Sequence, residues 1–267
     1  MRLIKIFFMI FPSILFSNSN TIVKHSVLIC YGRLEPETIK GYDYVVLESQ
    51  HYNIYEITKI KSQNKKVVAY ISLGEINADS KYFDLLKENT FGKNEIWNSY
   101  YLNLKSENTI EKIMEMVKNT LNIGYDGLFF DNIDNFTSFG PQSQQKEDLL
   151  KLLKTIDNDY SDHVFIQNAG IQIISETAQY VDAIVIESVA SNYTFHDKNY
   201  KLSDLNMFEK TISELEQVRR KYKIPLILIE YADSMELHNA ILKRINDSKF
   251  DCFIGNIDLQ TMPKFSN

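Results

Sequence analysis

Apolar residues in this chain gather into eight short runs, separated by segments in which they recur every three or four positions. The runs are Ser26–Gly32, Tyr44–Glu48, Lys66–Glu75, Leu128–Phe130, Val164–Asn168, Ala183–Ser188, Pro225–Tyr231 and Asp251–Asn256. Each is too unbroken for a half-solvated strand and too short for a buried helix, so each reads as a strand covered on both faces. Between them lie helical stripes. Ile54–Lys61 is one, and Ile110, Ile113, Met114, Val117 and Leu121 form a second. Others run through Leu149 to Ile156, Ile174 to Gln179, Met207 to Val218, and Leu237, Ile241 and Ile245. Local signals mark their ends. Pro36 sits at the favoured first position of a short helix, Asn108 with Glu111 and Asp233 with Glu236 read as N-terminal caps, and Gly124 reads as a C-terminal glycine.

Strands that alternate with helices pair in parallel through right-handed crossovers. Eight of them over about 235 residues predict an α/β fold, a single (β/α)8 TIM-type barrel. An open doubly wound sheet is the alternative. It would place a glycine-rich phosphate loop after its first strand, and Tyr31-Gly32-Arg33-Leu34-Glu35 does not have that pattern.

The sharpest stretch is Gly124-Tyr125-Asp126-Gly127-Leu128-Phe129-Phe130-Asp131-Asn132-Ile133-Asp134. A buried strand stops abruptly at a carboxylate, where α/β proteins place their chemistry. Asp131 is therefore a candidate catalytic residue, with a capping role as the structural alternative. Asp134 reads as a supporting residue, and Asp126 belongs to the turn at the opposite end. Glu48, Glu75, Glu187 and Glu230 also fall at or just past strand ends. In a barrel these acids converge on one rim, where they repel one another unless they are hydrogen-bonded, metal-bound or used. No histidine lies beside them and no D-x-D spacing favours a metal, and no cofactor motif is present. A carboxylate pair that cleaves a glycosidic bond is the other use, one acid ionised and its partner held protonated. Strands four and six face each other closely enough for Asp131 and Glu187 to be that pair. Tyr31, Tyr52, Tyr70, Trp97, Tyr101, Tyr193 and Tyr231 lie near the same rim, where aromatic rings suit either sugar stacking or packing.

Composition narrows the partners. The chain has 267 residues with 44% hydrophobic and 24% charged side chains, an ordinary globular balance. A net charge of -6 argues against nucleic acid. Arg2 and Lys5, the apolar run Ile6–Phe16 and the polar exit Ser17–Asn20 read as a signal peptide over residues 1–20, followed by the barrel domain over 21–267. The protein is thus expected to be secreted or periplasmic, without a stable membrane span after cleavage. Cys30 and Cys252 are expected to be neighbours if the sheet closes, as a disulfide or as two buried thiols.

Three segments carry a family resemblance: Val68-Ala69-Tyr70-Ile71-Ser72-Leu73-Gly74-Glu75, the Gly124–Asp134 stretch, and Ile184-Val185-Ile186-Glu187-Ser188. Together with Tyr31-Gly32 and Glu230-Tyr231 they resemble glycoside hydrolase family 114, the endo-α-1,4-polygalactosaminidase-like barrels, in its bacterial branch. The resemblance implies hydrolysis of α-1,4-linked galactosamine or N-acetylgalactosamine polysaccharide, such as biofilm exopolysaccharides. It implies Asp131 as nucleophile and Glu187 as acid/base. Tyr31, Glu48, Tyr70, Glu75, Asp134, Asn168, Glu230 and Tyr231 are then expected to bind substrate. A non-catalytic carbohydrate-binding barrel of a surface or biofilm complex is the alternative from another class. Asn103 stands where many relatives carry aspartate, and the Trp-rich first strand of fungal members is absent.

Overall fold

All eight apolar runs form strands lying side by side in the computed structural model, which describes residues 26–248 and 250–265. They are β1 (Val27–Cys30), β2 (Tyr44–Glu48), β3 (Lys66–Ser72), β4 (Gly127–Asp131), β5 (Val164–Asn168), β6 (Ala183–Glu187), β7 (Leu226–Tyr231) and β8 (Asp251–Gly255). Spatial order follows chain order, and every neighbouring pair is parallel. β1 and β8 come side by side, and the Tyr31 amide just past β1 donates to the Leu259 carbonyl at 2.7 Å, across the seam of a nearly closed barrel. The signal peptide expected at 1–20 lies outside the described residues. Among the described residues no helix is long and apolar enough to cross a membrane.

The outer layer is α1 (Ile54–Lys61), α2 (Phe83–Leu86), α3 (Glu107–Asn122), α4 (Lys146–Asp159), α5 (Ile174–Thr177), α6 (Leu205–Tyr222) and α7 (Met235–Ile245). The predicted stripes face inward: Ile113, Val117 and Leu121 of α3 and Leu149, Leu152, Leu153 and Ile156 of α4 are buried. Two predicted caps are corrected. Ser106, not Asn108, caps α3 by accepting from the Thr109 amide, and Ser234, not Asp233, caps α7 by accepting from Leu237. In both places two cap-competent residues, no more than two positions apart, compete. The winner is the one whose backbone is extended while the next residue starts the helix.

The glycines of the central motif each have a reason. Gly124 follows α3 at φ +104°, a conformation that side chains resist. At Gly127 a Cβ would fall 1.8 Å from the Val164 carbonyl oxygen, so only glycine lets β5 begin this close to β4. Asp126 accepts from the Val67 amide at 2.8 Å and pairs with Lys61 at 2.9 Å, at the opposite end of the strand from Asp131, as expected.

Two insertions depart from the simple alternation. β3 stops at Ser72, and Glu75, predicted as its last residue, instead starts the first strand of a three-stranded antiparallel sheet. That sheet is formed by Glu75–Asn77, Thr90–Asn94 and Ser99–Leu102. The polar loop predicted after β6 is a hairpin of Ser191–Thr194 with Asn199–Leu202. Both insertions leave the carboxyl ends of their barrel strands. Cys30 and Cys252 are not bonded to one another; Cys30 is buried and Cys252 partly so.

Candidate active site

The strand period of two decides which side chains enter the barrel mouth. Register sets Glu48 opposite Tyr70, Ser72 opposite Asp131, and Glu187 opposite Ile229. The chain then leaves the barrel sharply. The residues directly after β4, β5 and β6, Asn132, Ala169 and Ser188, all have left-handed backbones, with φ of 61°, 59° and 58°. This conformation is uncommon for residues with a Cβ. Three in a row around one rim turn the chain sharply just after Asp131, Asn168 and Glu187, the last residues of their strands, all of which line the mouth.

These three are joined. The Asn168 amide nitrogen donates to Asp131 Oδ1 at 2.8 Å and to Glu187 Oε1 at 2.6 Å. Because both bonds start on one atom, the two acceptor oxygens lie no farther apart than those bonds laid end to end, about 5.4 Å. The Tyr70 hydroxyl donates to the other Asp131 oxygen at 2.8 Å, and the Tyr231 hydroxyl donates to the other Glu187 oxygen. Burial and the neighbouring carboxylates push both phenols well up, so each keeps its proton and serves as a donor. Tyr31 packs against Tyr70 with ring centroids 4.6 Å apart.

Burial raises both acids above the ordinary carboxylate range. For Asp131 three donors oppose it: Asn168, the Asn132 amide and Tyr70. For Glu187 the negative charge of Asp131 adds to burial, while Tyr231 and Asn168 oppose. Both environments thus favour the protonated form, and they differ in balance: three donors oppose burial at Asp131, whereas at Glu187 two donors oppose burial and the charge of Asp131 together.

Around the pair is a cleft of about 980 Å³. Tyr31, Glu48, Tyr70, Glu75, Asp131, Asp134, Asn168, Glu187 and Tyr231 all line it, which brings together nine of the ten predicted site residues. Their freedom differs. Glu48 caps the turn after β2 by accepting from the Gln50 amide at 3.3 Å, and burial raises its carboxyl. Glu75 is buried, with its oxygens held by Ser99, Asn94 and Asn135 (2.9 Å for the last), so it ties the antiparallel insertion to the loop after β4. Asp134 is exposed to the cleft, and the turn that contains it is entered at Asn132.

Glu230 is the correction. It is fully buried and lies outside the cleft wall. Its oxygens accept from the amides of Val189 at 3.1 Å, Ala190 at 2.9 Å and Ser191 at 2.7 Å, and from the Ser191 hydroxyl at 2.5 Å. Glu230 and Tyr231 are adjacent in a strand and therefore point to opposite faces. Tyr231 enters the mouth and holds Glu187; Glu230 faces outward and holds the chain that follows Glu187. Sequence reasoning had also passed over cleft residues Asp79, Lys81 and Asp258, which sit in loops with no strand end to flag them.

The mouth thus holds two unequal acids, bound by amide and phenol donors, in a cleft of about 980 Å³. The glycoside hydrolase domain of PelA from Pseudomonas aeruginosa superposes with a TM-score of 0.78 at 21% identity, over 88% of this chain and 96% of that one. Aspergillus fumigatus Ega3, solved with galactosamine, superposes with a TM-score of 0.69 at 15% identity, over 88% and 91%. At such identities the likeness is one of fold. Comparison with curated protein sequences returns no match. The family profile is decisive, because Glycoside-hydrolase family GH114 matches residues 20–266, nearly the whole chain. This protein belongs to glycoside-hydrolase family GH114 and is a glycoside hydrolase.

Proposed function

We propose that this hydrolase is exported by its leader at 1–20 and cleaves α-1,4-linked galactosamine or N-acetylgalactosamine polysaccharide with retention of anomeric configuration. The observation that carries the mechanism is the single amide nitrogen of Asn168 shared by Asp131 and Glu187. Retaining enzymes hold their carboxyl groups about 5–5.5 Å apart, whereas inverting enzymes leave about 6.5–9.5 Å for a water. With one nitrogen spanning the gap, the facing oxygens of the two carboxyls lie at most about 5.4 Å apart, which leaves little room between them for a water and supports the first. In this reading an Asp131 oxygen bonds to the anomeric carbon as the glycosidic C–O bond breaks. Glu187 gives its proton to the leaving oxygen. Water then attacks the same carbon, Glu187 takes its proton, and the Asp131 ester bond breaks. Asp131 is suited to attack because Tyr70 and Asn168 hold it; Glu187 is suited to donate because burial and the charge of Asp131 keep its proton on. Time-resolved NMR of the reducing ends freed from an α-1,4-galactosamine polymer is expected to show the α-anomer first. The β-anomer first would overturn retention.

The substrate follows from charge as well as from the galactosamine complex of Ega3. Among the described residues the cleft is lined by seven acidic side chains (Glu48, Glu75, Asp79, Asp131, Asp134, Glu187 and Asp258) against Lys81 and His51. A concave acidic surface draws cations and repels anions. Free amines on a partly deacetylated polymer are positive at neutral pH. Cleavage of such a polymer is therefore expected to slow about tenfold between low salt and roughly 1 M, as screening shortens the reach of these charges. Cleavage rates measured across that range test this, and a salt-independent rate would remove the charge argument.

A further inference from the structure

The two insertions end in hairpin tips of equal length, 95–98 and 195–198, each closed by a left-handed residue, Asn98 and Lys198. Each tip carries an aromatic ring that is not buried: Trp97 is 48% exposed and Phe195 45%. The tips spring from β3 and β6, on either side of the strands that carry Asp131 and Asn168, yet they meet. The rings of Trp97 and Phe195 lie 5.5 Å apart in an edge-to-face contact. From Phe195 the rings continue to Tyr193 at 5.0 Å and on to Tyr200 at 4.6 Å, whose hydroxyl accepts from the Ile257 amide at 3.2 Å. Trp97 lines the cleft, and the row ends at Tyr200, whose bonded neighbour Ile257 lines it too, so the rings run beside the cleft from one wall contact to another.

Packing does not explain this row. Edge-to-face pairs contribute about 0.5–1.5 kcal/mol beyond their burial when they lie in a core, but two half-exposed rings on hairpin tips forgo most of that burial. Edge-to-face contact also covers at most one face of one ring, so aromatic faces remain open beside a sugar-cleaving cleft. The C–H patches of a sugar ring are apolar and match such faces, while its hydroxyls and amines stay solvated.

From this we infer that Trp97 and Phe195 form an aromatic clasp, a sugar-binding subsite separate from the catalytic pair, which stacks a ring of the polymer and holds the chain along the cleft. The clasp rests on the polysaccharide reading above. It gives length selectivity: a polymer that reaches both clasp and acids gains the stacking, and a single sugar does not.

Trp97 is the only tryptophan in the chain, so its fluorescence reports on the clasp alone. The test uses the Glu187→Gln protein, titrated with α-1,4-galactosamine oligomers of increasing length and with free galactosamine, while calorimetry records binding in parallel. Long oligomers are expected to bind with a saturable change in Trp97 emission, and free galactosamine to give none. Phe195→Ala in the same background is expected to weaken long-oligomer binding about tenfold, as loss of one stacking partner would. Trp97→Phe should keep the affinity and abolish the signal, whereas Trp97→Ala should lose affinity. Calorimetric binding with silent emission and an unchanged affinity in Phe195→Ala would overturn the clasp and leave the substrate reading standing. No calorimetric binding of any oligomer would overturn the substrate reading, and the clasp with it.

Discussion

Replacing Glu187 by glutamine is expected to lower kcat by about 10²- to 10⁴-fold, the usual worth of a positioned general acid, and at the same time to make the protein more stable at neutral pH. The first effect follows from the lost proton donor, since glutamine keeps the shape but cannot protonate a leaving oxygen. The second follows from the sign of the pKa shift. Glu187 lies above its ordinary value of 4.5 because burial and the Asp131 charge oppose ionisation. In the unfolded chain it ionises freely. A raised acid contributes stability that is fully present below the unfolded value and is lost as pH rises through the folded value. At neutral pH folding therefore requires Glu187 to hold a proton that the unfolded chain releases, a cost that Glu187→Gln removes. Thermal unfolding should show a higher Tm for the variant at pH 7 and no advantage at about pH 4. Activity within tenfold of wild type, or a Tm gain that persists unchanged at pH 4, would overturn the assignment. Asp131→Asn tests the partner. It should abolish turnover, and trapping of a glycosyl-enzyme should fail.

Glu230→Ala carries the largest expected loss of stability. It strips the acceptor from three backbone amides and a serine hydroxyl, all buried. Leaving a buried donor unsatisfied costs about 1–3 kcal/mol each, and with partial relaxation the total is expected near 3–5 kcal/mol. For a domain of this size that lowers Tm by about 10 °C. Ser191 Oγ also accepts from the Tyr231 amide at 2.9 Å, so the damage reaches the strand that positions the Glu187 donor. Glu230→Gln, which keeps one acceptor oxygen, should fall between. Calorimetry decides the matter, and a shift below about 1 °C for Glu230→Ala would sink the proposed role.

The contrast between these two glutamates marks how far the sequence was legible. The eight strands could be read because burial on both faces leaves apolar runs that nothing else in a soluble chain imitates. Asp131 and Glu187 could be placed together at the mouth because an acid ending such a run stands out. Glu230 ended a run just as plainly, yet a one-residue step along a strand reverses the face. With Tyr231 in the mouth, Glu230 had to point away, and only one of the two could serve the site. The antiparallel insertion was missed for a different reason. Thr90–Asn94 is mostly exposed and contains Gly92, so it shows neither a buried run nor clean alternation. Its strand character comes from pairing with Ser99–Leu102, a contact that local sequence does not advertise. The hairpin after β6 was hidden in the same way, and with it the meeting of Trp97 and Phe195.

The shared nitrogen of Asn168 has one more consequence. A carboxylate that becomes an ester carries no charge. In the retaining mechanism proposed above, once Asp131 takes up the sugar the electrostatic push that helps keep the proton on Glu187 disappears, while Tyr231 and Asn168 continue to donate to it. Burial still opposes its ionisation, but with the Asp131 charge gone Glu187 gives up its proton more readily than at the start of the cycle and is better placed to draw one from the incoming water. Hydrolysis of the ester restores the charge on Asp131 and resets Glu187. In that mechanism the acidity of the site is timed by the reaction itself.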